Sequence, residues 1–402
     1  METITDNTLN FKHTKLGLIP EEWEIQPLGV ISNFRNGKGH EGIVDASGQY
    51  KLINSKFVST EGKVVKFVNI MLVELFPGEI TIVMSDVPNG RAIAKCFYVD
   101  QSNTYSLNQR IGALSPKKGL NSLYLYYYLN RNSYFLRFDD GVKQTNLRKD
   151  EVLGCPILLP PYSQQQKIAE ILSTWDEAIE KVQQLIKQLE LRKKGLIQRL
   201  ITGKKRLPGF DGEWKELKAE KIFSNHSDKS HNGEFEVLSA TQDKGVIPRS
   251  EVGIDIKYDR NSLTNYKKVD AGDFVISLRS FQGGIEYSSY NGLVSPAYTV
   301  LKEKLPISKK FYTEYLKSGN FIQRLNSIIY GIRDGKQISY KEFSTLKLWY
   351  PPIEEQHAIS KFMDITDKDI KSHISYLEQL KIQKKGLMQQ LLTGKIRVKI
   401  DE

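Results

Sequence analysis

Several features that mark particular protein classes are scarce or missing in this chain of 402 residues. The two cysteines, Cys96 and Cys155, are too few for a disulfide framework or a tetrahedral zinc site, and we interpret both as small buried hydrophobic residues. No apolar run approaches the roughly 18 residues that a membrane-spanning helix needs. Residues 1–6 are acidic and polar, unlike a signal peptide, so we expect a cytoplasmic location.

Catalytic motifs are missing as well. The sequence has no phosphate-binding loop of the Gly-x4-Gly-Lys-Ser/Thr type, and its six histidines are scattered without metal-ligand spacing. The nearest match to the Asn/Asp-Pro-Pro-aromatic motif of adenine methyltransferases, residues 159–162, lacks the amide or carboxylate. A nuclease-like Glu-x-Lys element at Glu213–Lys215 loses its lysine in the matching segment that ends at Glu24. The sequence therefore predicts a chain without catalytic residues, metal or cofactor.

Positive charge, in contrast, is abundant. The formal net charge is +11 and the isoelectric point is near 9.2. This excess favours a polyanionic partner such as DNA, because each phosphate contact releases a counterion. Charge alone leaves a purely protein-binding role open.

The strongest signal is an internal repeat. Residues 160–204 align without a gap to residues 351–395, at an offset of 191, with 17 identities over 45 positions. The same offset places Glu22-Trp23 on Glu213-Trp214, while the stretches between the matching segments agree poorly. A constant frame with two unlike inserts indicates one scaffold that carries two different recognition surfaces.

Each constant segment opens with Pro-Pro and continues as a heptad pattern of apolar residues, which predicts two helices of about 37 residues that pair as an antiparallel coiled coil and act as a spacer. One polar residue, Lys193 or Lys384, interrupts each pattern, and Gly203 and Gly394 end it. The first seam comprises Ile168, Leu172, Trp175, Ile179, Val182, Ile186, Leu189, Leu196 and Leu200. The second comprises Ile359, Met363, Thr366, Ile370, His373, Leu377, Leu380, Leu387 and Leu391.

The inserts mix strand-like runs with helix-like runs, which we expect near 120–138 and 309–329. The predicted fold class is therefore α/β (α+β) with largely antiparallel sheets. We expect four segments: recognition domain 1 (1–158), a central helical spacer (159–205), recognition domain 2 (206–349) and a C-terminal helical spacer (350–402). The lead-in to the second domain follows the first spacer, whereas the first lead-in is N-terminal. The end of the chain should therefore lie near residues 16–23.

Both inserts end in a polar loop, 140–146 and 334–339. Asn146 and Ser339 are expected N-cap residues, and Ser339 with Glu342 forms a capping-box pattern. Such a loop could offer backbone N–H groups to a phosphate beside Lys143 or Lys336, or it could be an ordinary capped turn.

These features together resemble the specificity subunit of type I restriction–modification systems. The resemblance rests on the Pro-Pro…Gln helix that ends in Lys-Lys-Gly-Leu…Thr-Gly-Lys, with a Trp lead-in to each insert, and it covers nearly the whole chain. It implies two target recognition domains that read a bipartite DNA site and helices that dock methyltransferase subunits, likewise two per chain, with restriction subunits joining them. S-adenosylmethionine, ATP and Mg²⁺ would belong to those partners.

The resemblance does not identify the residues that read bases. Candidates are chosen by residue type, because Arg, Lys, Asn and Gln pair with guanine or adenine edges. In the first domain they are Lys38, Asn54, Lys56, Asn89, Arg91, Arg110, Lys143 and Gln144. In the second they are Gln242, Lys244, Arg249, Arg279, Gln282, Arg333, Lys336 and Gln337. For the coiled coil and the partner subunits they are Gln165, Trp175, Ile179, Gln356, Ile370 and Leu377.

Three functions remain open at this point: a DNA-specificity subunit, a coiled-coil adaptor that binds only proteins, and a self-sufficient enzyme. The first predicts a split site whose half-site centres lie about one helical turn, 34–36 Å, apart. It also predicts that inserting helical turns near residue 185 lengthens the gap between the half-sites.

Overall fold

The computed structural model describes residues 10–87, 91–253, 260–328 and 338–400, with only the backbone described at 260–262. It divides into two compact units. Unit 1 comprises Met1–Gln183 and Tyr376–Glu402, and unit 2 comprises Gln184–Ser375. Each unit therefore contains one globular domain, the start of one long helix and the end of the other.

Thirteen of the described strands lie in unit 1. Five of the described helices lie entirely within it, and a sixth, long helix begins there. The strands are β1 (Phe11–Thr14), β2 (Gly17–Pro20), β3 (Glu24–Pro27), β4 (Ser32–Asn36), β5 (Tyr50–Ile53), β6 (Phe67–Val68), β7 (Ile80–Val83), β8 (Ser85–Asp86), β9 (Cys96–Tyr98), β10 (Tyr105–Leu107), β11 (Ile111–Pro116), β12 (Thr145–Asn146) and β13 (Pro156–Leu159). The helices are α1 (Leu28–Ile31), α2 (Ser55–Ser59), α3 (Ser122–Leu129), α4 (Ser133–Leu136), α5 (Lys149–Leu153) and α6 (Tyr162–Leu200).

Unit 2 repeats this plan with fewer strands among its described residues. Its strands are β14 (Lys215–Lys218), β15 (Phe223–His226), β16 (Leu238–Thr241), β17 (Gly245–Pro248), β18 (Lys267–Val269), β19 (Phe274–Ile276), β20 (Glu286–Tyr287), β21 (Gly292–Val294), β22 (Thr299–Glu303) and β23 (Lys347–Tyr350). Its helices are α7 (Ala219–Ile222), α8 (Ser280–Gly283), α9 (Lys309–Tyr315), α10 (Gly319–Ser327), α11 (Tyr340–Thr345) and α12 (Ile353–Leu391), besides two short 3-10 turns at Arg249–Glu251 and Arg260–Asn265.

Both globular domains contain the same four-stranded antiparallel sheet. Its order is β4-β11-β7-β9 in unit 1 and β15-β22-β19-β20 in unit 2. A separate two-stranded ribbon in each domain pairs the lead-in strand with the strand before Pro-Pro, β3 with β13 and β14 with β23. The prolines end that strand because they cannot donate to a ladder. The predicted α/β (α+β) class and largely antiparallel sheets are thus confirmed, with β5–β10 as a parallel exception.

The helical run expected over 120–138 is divided into α3 and α4, and the run expected over 309–329 into α9 and α10. Arg131 takes a left-handed backbone conformation with φ of 59°, which ends α3, and the Asn132 side chain accepts from Tyr134 to cap α4. Ser318 caps α10 in the second domain through the Phe321 N–H. Apolar residues are spaced continuously across both breaks, so their spacing did not predict where the helices end. The ends are set by caps, which depend on local dihedral angles.

Both long helices have 39 residues, and their heptad seams face inward as predicted. Ile168 and Leu172 from α6 share the core of unit 1 with Leu391 from the end of α12. In unit 2 the pattern is reversed: Ile359 and Met363 near the start of α12 share a core with residues 197–201. Within each unit the two helix segments therefore run antiparallel.

The helices belong to the domain cores rather than forming separate layers, since each of the two main cores contains residues from both long helices and from the globular domain. The four segment boundaries derived from the sequence accordingly stay a prediction. Cys96 and Cys155 are free and buried, in keeping with a packing role, and burial raises the pKa of the Cys155 thiol to about 12.

Candidate nucleic-acid interface

In the first domain, the candidate base-reading residues gather around the short strand β8. Its Ser85 accepts hydrogen bonds from two segments: Gln144 Nε2 donates to the hydroxyl at 2.9 Å, and the Ser55 hydroxyl donates to the carbonyl at 3.4 Å. The adjacent Met84 N–H donates to the carbonyl of Arg110 at 3.0 Å. Three segments that are distant in sequence, around residues 54–56, 110 and 143–144, therefore meet at the end of one strand.

A carboxylate of β8 binds the backbone beside Arg91. Asp86 Oδ2 accepts from the backbone N–H groups of Ala92 at 2.6 Å and Ile93 at 3.0 Å, and this fixes the position of the exposed Arg91. Two backbone hydrogen bonds connect the remaining candidates to the same end of the domain. The Lys38 N–H donates to the carbonyl of residue 107, and the N–H of residue 108 donates to the carbonyl of residue 53. Lys38, Lys56, Arg91, Arg110, Lys143 and Gln144 are all exposed.

Asn54 differs from the other candidates. Its side chain is half-buried and caps α2 by accepting from the Phe57 N–H at 2.8 Å. This bond occupies one of the two lone pairs of the amide oxygen and holds the side chain at the start of α2, so Asn54 acts as a helix cap in this structure.

In the second domain, Arg279 and Gln282 lie in the connection after β19, Gln282 within the short helix α8. This connection takes the place that the one after β7 has in the first domain. Both side chains are exposed. Gln242 packs against this loop, because a Cβ built on Gly283 would meet its Cγ at 2.9 Å. Lys244 lies beside it in the exposed turn between β16 and β17.

A tyrosine that residue-type reasoning missed joins this group. Burial raises the pKa of the Tyr298 hydroxyl, and the guanidinium groups of Arg249 and Arg279 reduce the rise. Tyr298 precedes β22, as Arg110 precedes β11 in the equivalent sheet. The available sequence signal was an aromatic residue directly before the inner strand β22. Only the fold showed that this position is close enough to two arginines for their charges to act on it.

A partly buried ion pair, between half-buried Lys317 and buried Glu286, supports the second group. Lys317 Nζ donates to the Gln242 carbonyl at 2.7 Å and to Glu286 Oε2 at 2.6 Å. Burial raises the pKa of Glu286 although Lys317 opposes the rise. The pair ties β16, β20 and the end of α9 together, so it positions the loops that carry Gln242 and Gln282.

Four candidates lie outside the described residues: Asn89, Arg333, Lys336 and Gln337. The expected N-cap at Asn146 is wrong, because Asn146 pairs with Ser85 in β12 and the N-cap of α5 is Arg148. The expected capping box at Ser339 is confirmed: its hydroxyl accepts from the Glu342 N–H, and the Glu342 carboxylate accepts from the Ser339 N–H at 2.8 Å.

The residues assigned to the coiled coil and the partner subunits divide into two kinds. Gln165 and Gln356 are buried and bind their own domains: Gln165 Oε1 accepts from Asn121 N–H at 2.8 Å, and Gln356 Oε1 accepts from Ser308 N–H at 2.9 Å. They fasten each helix to its domain and leave no face for another subunit. The seam positions are buried at Ile370 and Leu377 and half-buried at Trp175 and Ile179.

The lysines that interrupt the two seams form matching ion pairs. Lys384 pairs with Asp176 in unit 1, and Lys193 pairs with Asp367 in unit 2. Each aspartate also binds its globular domain, Asp176 through the Tyr127 hydroxyl at 2.7 Å and Asp367 through an ammonium group of helix α9 at 3.1 Å. The same pair of positions thus joins both helices and the domain in each unit.

The expected proximity of the C-terminal segment to the N-terminal lead-in is confirmed. Arg397 pairs with Glu22, and a Cβ built on Gly394 would meet Pro20 Cδ at 2.5 Å. No group of His, Cys, Asp or Glu among the described residues is arranged to hold a metal ion. Within the same ranges, no helix is long and apolar enough to cross a membrane.

Comparison with known proteins gives a consistent answer. The family model described as the type I restriction modification DNA specificity domain matches the chain twice, at residues 20–191 and 212–381. The two matches coincide with the two copies of the internal repeat and take in the starts of both long helices.

Two curated relatives from Methanocaldococcus jannaschii are similar over nearly their full length. The putative type I restriction enzyme MjaX specificity subunit is 27% identical over 427 aligned positions, which cover 97% of this chain and 97% of that one. The type I restriction enzyme MjaVIII specificity subunit is 26% identical and covers 97% and 96%.

Solved structures share the fold. The HsdS subunit from Thermoanaerobacter tengcongensis aligns with a TM-score of 0.54 at 14% identity, covering 94% of this chain and 98% of that one. A chain from a study of the assembly and conformational transition of the type I R-M system gives 0.60 at 14% identity, covering 94% and 99%.

Proposed function

Because this chain belongs to the family of type I restriction modification DNA specificity domain proteins, we propose that it selects the DNA target of such a system and carries no catalytic site itself. The observation that supports this function is a repeated one. In each domain, an arginine lies in the connection after the third strand of the same sheet, Arg91 after β7 and Arg279 after β19. A glutamine lies near each connection, Gln144 through its bond to Ser85 and Gln282 in α8. Arg and Gln at such loops suit guanine and adenine edges.

The two loops carry different residues, so the two half-sites of the target should differ. Under this proposal the chain acts in the cytoplasm together with two methyltransferase subunits and with restriction subunits. S-adenosylmethionine, ATP and Mg²⁺ bind to those partner subunits. The chain supplies base contacts and a scaffold, and the chemistry of methyl transfer and cleavage takes place elsewhere in the assembly.

Charge reversal in one domain at a time tests this function. We expect Arg110→Glu and Arg279→Glu each to weaken methylation through one half-site only, by roughly 5–150-fold, since a good base contact discriminates by about 1–3 kcal/mol. The measurement is genome-wide mapping of methylated adenine in cells that express the methyltransferase subunits with each variant. The exposed Lys215→Glu, on the ribbon strand β14, serves as the control.

Three outcomes would contradict the proposal. Unchanged methylation with both arginine variants favours the protein-binding adaptor. Methylation directed by one contiguous site, rather than by two separated halves, contradicts recognition of a bipartite site. Methyl transfer or cleavage by the purified chain alone shows that it is an enzyme.

A further inference from the structure

A groove in unit 1, between the globular domain and the two long-helix segments, carries an excess of positive charge. Its volume is about 700 Å³. Three carboxylates line it, against six cationic side chains: Lys63, Lys95, Arg131, Lys381, Lys384 and Lys385. None of the base-reading candidates that the structure describes in this unit is among the lining residues, so the proposed base contacts do not account for this charge.

Most of these cations have no counter-ion. Lys384 pairs with Asp176, and Lys381 pairs with Glu378 at 2.7 Å. The other four form no ion pair with any residue that the structure describes: Lys63, Lys95, Arg131 and Lys385. Like charges that converge on one groove repel one another, so an anionic ligand would stabilise this arrangement.

A second groove, of about 760 Å³ beside α4, continues the first. The two grooves share lining residues, among them Arg131 and Lys385, and Arg137 lines the second. No carboxylate is found among the described residues that line it. The exposed Arg137 guanidinium lies over the Tyr134 ring, 4.0 Å from its centre, which orients the side chain without neutralising its charge. We call the following set the basic track: Lys63, Lys95, Arg131, Arg137 and Lys385.

The basic track adjoins the base-reading group of the same domain. The Arg131 guanidinium donates to the carbonyls of Arg91 at 3.5 Å and Ile93 at 3.2 Å. Lys95 Nζ donates at 3.1 Å to the carbonyl of Ser59, the last residue of α2, and this helix carries one of the base-reading candidates. Phosphates flank every base of a duplex, so DNA that is read at this group has its backbone close to the track.

The matching groove of unit 2 has much less excess charge. It has a volume of about 580 Å³ and contains Lys193 and Asp367, the repeat counterparts of the pair Lys384 and Asp176. Four cationic side chains line it, against three carboxylates. The helical frame is therefore repeated, while the globular domains supply different charges to it.

Two positions of the basic track show how the difference arises. Arg131 immediately precedes the N-cap of α4, and the residue at this place before α10 is Lys317, which a buried carboxylate neutralises. Arg137 lies five positions after the N-cap of α4, where α10 has the exposed and uncharged Gln323. Unit 2 thus replaces one free cation by a paired one and another by an amide.

We propose that the basic track of unit 1 binds the sugar-phosphate backbone of DNA beside the first half-site, and that the matching groove of unit 2 makes no equivalent contact. The two half-sites are then held unequally, the first by phosphate contacts in addition to base contacts. Phosphate contacts carry no sequence information directly, so the track adds affinity and orientation without changing which bases are selected. The inference rests on the proposed function, in which the bound polyanion is the target DNA.

Salt titration of DNA binding separates phosphate contacts from base contacts. The complex of the chain with its methyltransferase subunits is mixed with a labelled duplex, which carries either the target found by methylation mapping or a scrambled sequence. Fluorescence anisotropy gives the association constant at several KCl concentrations. Each phosphate contact that is lost should lower the slope of log K against the logarithm of the KCl concentration by about 0.9. We expect this change with both duplexes for Lys63→Gln, Arg137→Gln and Lys385→Gln, and we expect the methylated target to stay the same.

Lys194→Gln is the matched control, because Lys194 is the repeat counterpart of Lys385 and is likewise exposed. It should leave the slope unchanged, and an equal drop would overturn the inequality of the two units. Unchanged slopes for all three track variants, while Arg110→Glu still weakens methylation through one half-site, would overturn the track and leave target selection intact.

Two further results would also decide against the track or its premise. Weaker binding of the target duplex alone, with the scrambled duplex unaffected, would assign these cations to base reading and overturn the backbone contact. A wild-type complex that binds both duplexes equally at every KCl concentration would remove the proposed function itself, whereas the response of the track variants to salt would still report on phosphate contacts.

Discussion

The two units fasten the start of a long helix to its lead-in by the same geometry but with different charge. In unit 2, the Trp214 indole N–H donates to Glu355 at 2.8 Å, and this fully buried carboxylate also binds Arg206 at 2.6 Å. In unit 1, the Trp23 indole N–H donates at 3.0 Å to Gln164, the repeat counterpart of Glu355. An amide replaces the carboxylate there, and the arginine of the repeat finds its anion elsewhere.

That second anion is Glu22, which pairs with Arg397, the counterpart of Arg206. Glu22 is far more exposed than Glu355, at 39% against 0% of the side chain. The indole needs an acceptor and the arginine needs a counter-charge, and either arrangement meets both needs. The repeat therefore preserves a hydrogen-bond pattern, while the position of the charge is free to change.

The largest expected effect follows from this difference. Glu355→Ala leaves a half-buried guanidinium and a buried indole N–H without their acceptor, and we expect it to cost about 3–5 kcal/mol in the free energy of unfolding. Gln164→Ala removes the neutral bond from Trp23 and an exposed bond of 3.2 Å to Glu22, and it should cost about 1 kcal/mol. Denaturant titration followed by tryptophan fluorescence measures both. The exposed neighbour in Glu354→Ala is the control, and equal losses at residues 355 and 164 would contradict the comparison.

The aspartates that pair with the seam lysines, Asp176 and Asp367, give a second and smaller expected effect. Burial would raise the pKa of Asp367, but Lys193 and Lys310 outweigh it and lower the pKa below the usual 3.8. A carboxyl with a depressed pKa stabilises the fold above its unfolded pKa and loses that contribution as the pH falls through its folded pKa. Asp367→Asn should therefore cost about 1–2 kcal/mol near neutral pH, after allowance for partial exposure, and progressively less in acid.

Unfolding titrations of wild type and Asp367→Asn at a series of pH values give this difference directly. Asp364→Asn is the matched control, because Asp364 binds only Lys310 among the ion pairs of the described residues and its side chain is 58% exposed. A gap between Asp367→Asn and wild type that grows as the pH is lowered would refute the ion-pair explanation.

The smallest effect distinguishes the two polar loops. Ser339→Ala removes one half of a capping box and should lower the free energy of unfolding by about 1 kcal/mol. Asn146→Ala should change it by only a few tenths of a kcal/mol, because an exposed strand residue loses at most a weak side-chain contact. Thermal unfolding of the two variants side by side compares them. A larger loss at Asn146 would mean that the residue has a capping role after all.

Much of the scaffold could be predicted because its signals are periodic and local. The heptad steps from Ile168 to Leu200 placed the buried side of α6, and the polar interruptions at Lys193 and Lys384 recurred at the same register. A helix can bury a continuous apolar stripe only if its apolar residues have this spacing, so the spacing is visible in the sequence.

The candidate site was only partly predictable. Residue type selected Arg91, Arg110 and Arg279, and all three lie exposed on loops or strand ends. It also selected Asn54, which caps a helix, and it missed Tyr298 and Lys317, whose roles depend on neighbours more than 15 positions away in sequence.

The sequence by itself determined the duplication, the two long helices, their inward faces and the absence of recognisable catalytic motifs. Each is a property of order and spacing along the chain. Only the tertiary structure decided that Gln165 and Gln356 fasten the long helices to their domains and that Lys384 contacts Asp176. These results depend on which atoms are brought within a few ångströms of each other, and contact across long sequence separations is set by packing rather than by local propensity.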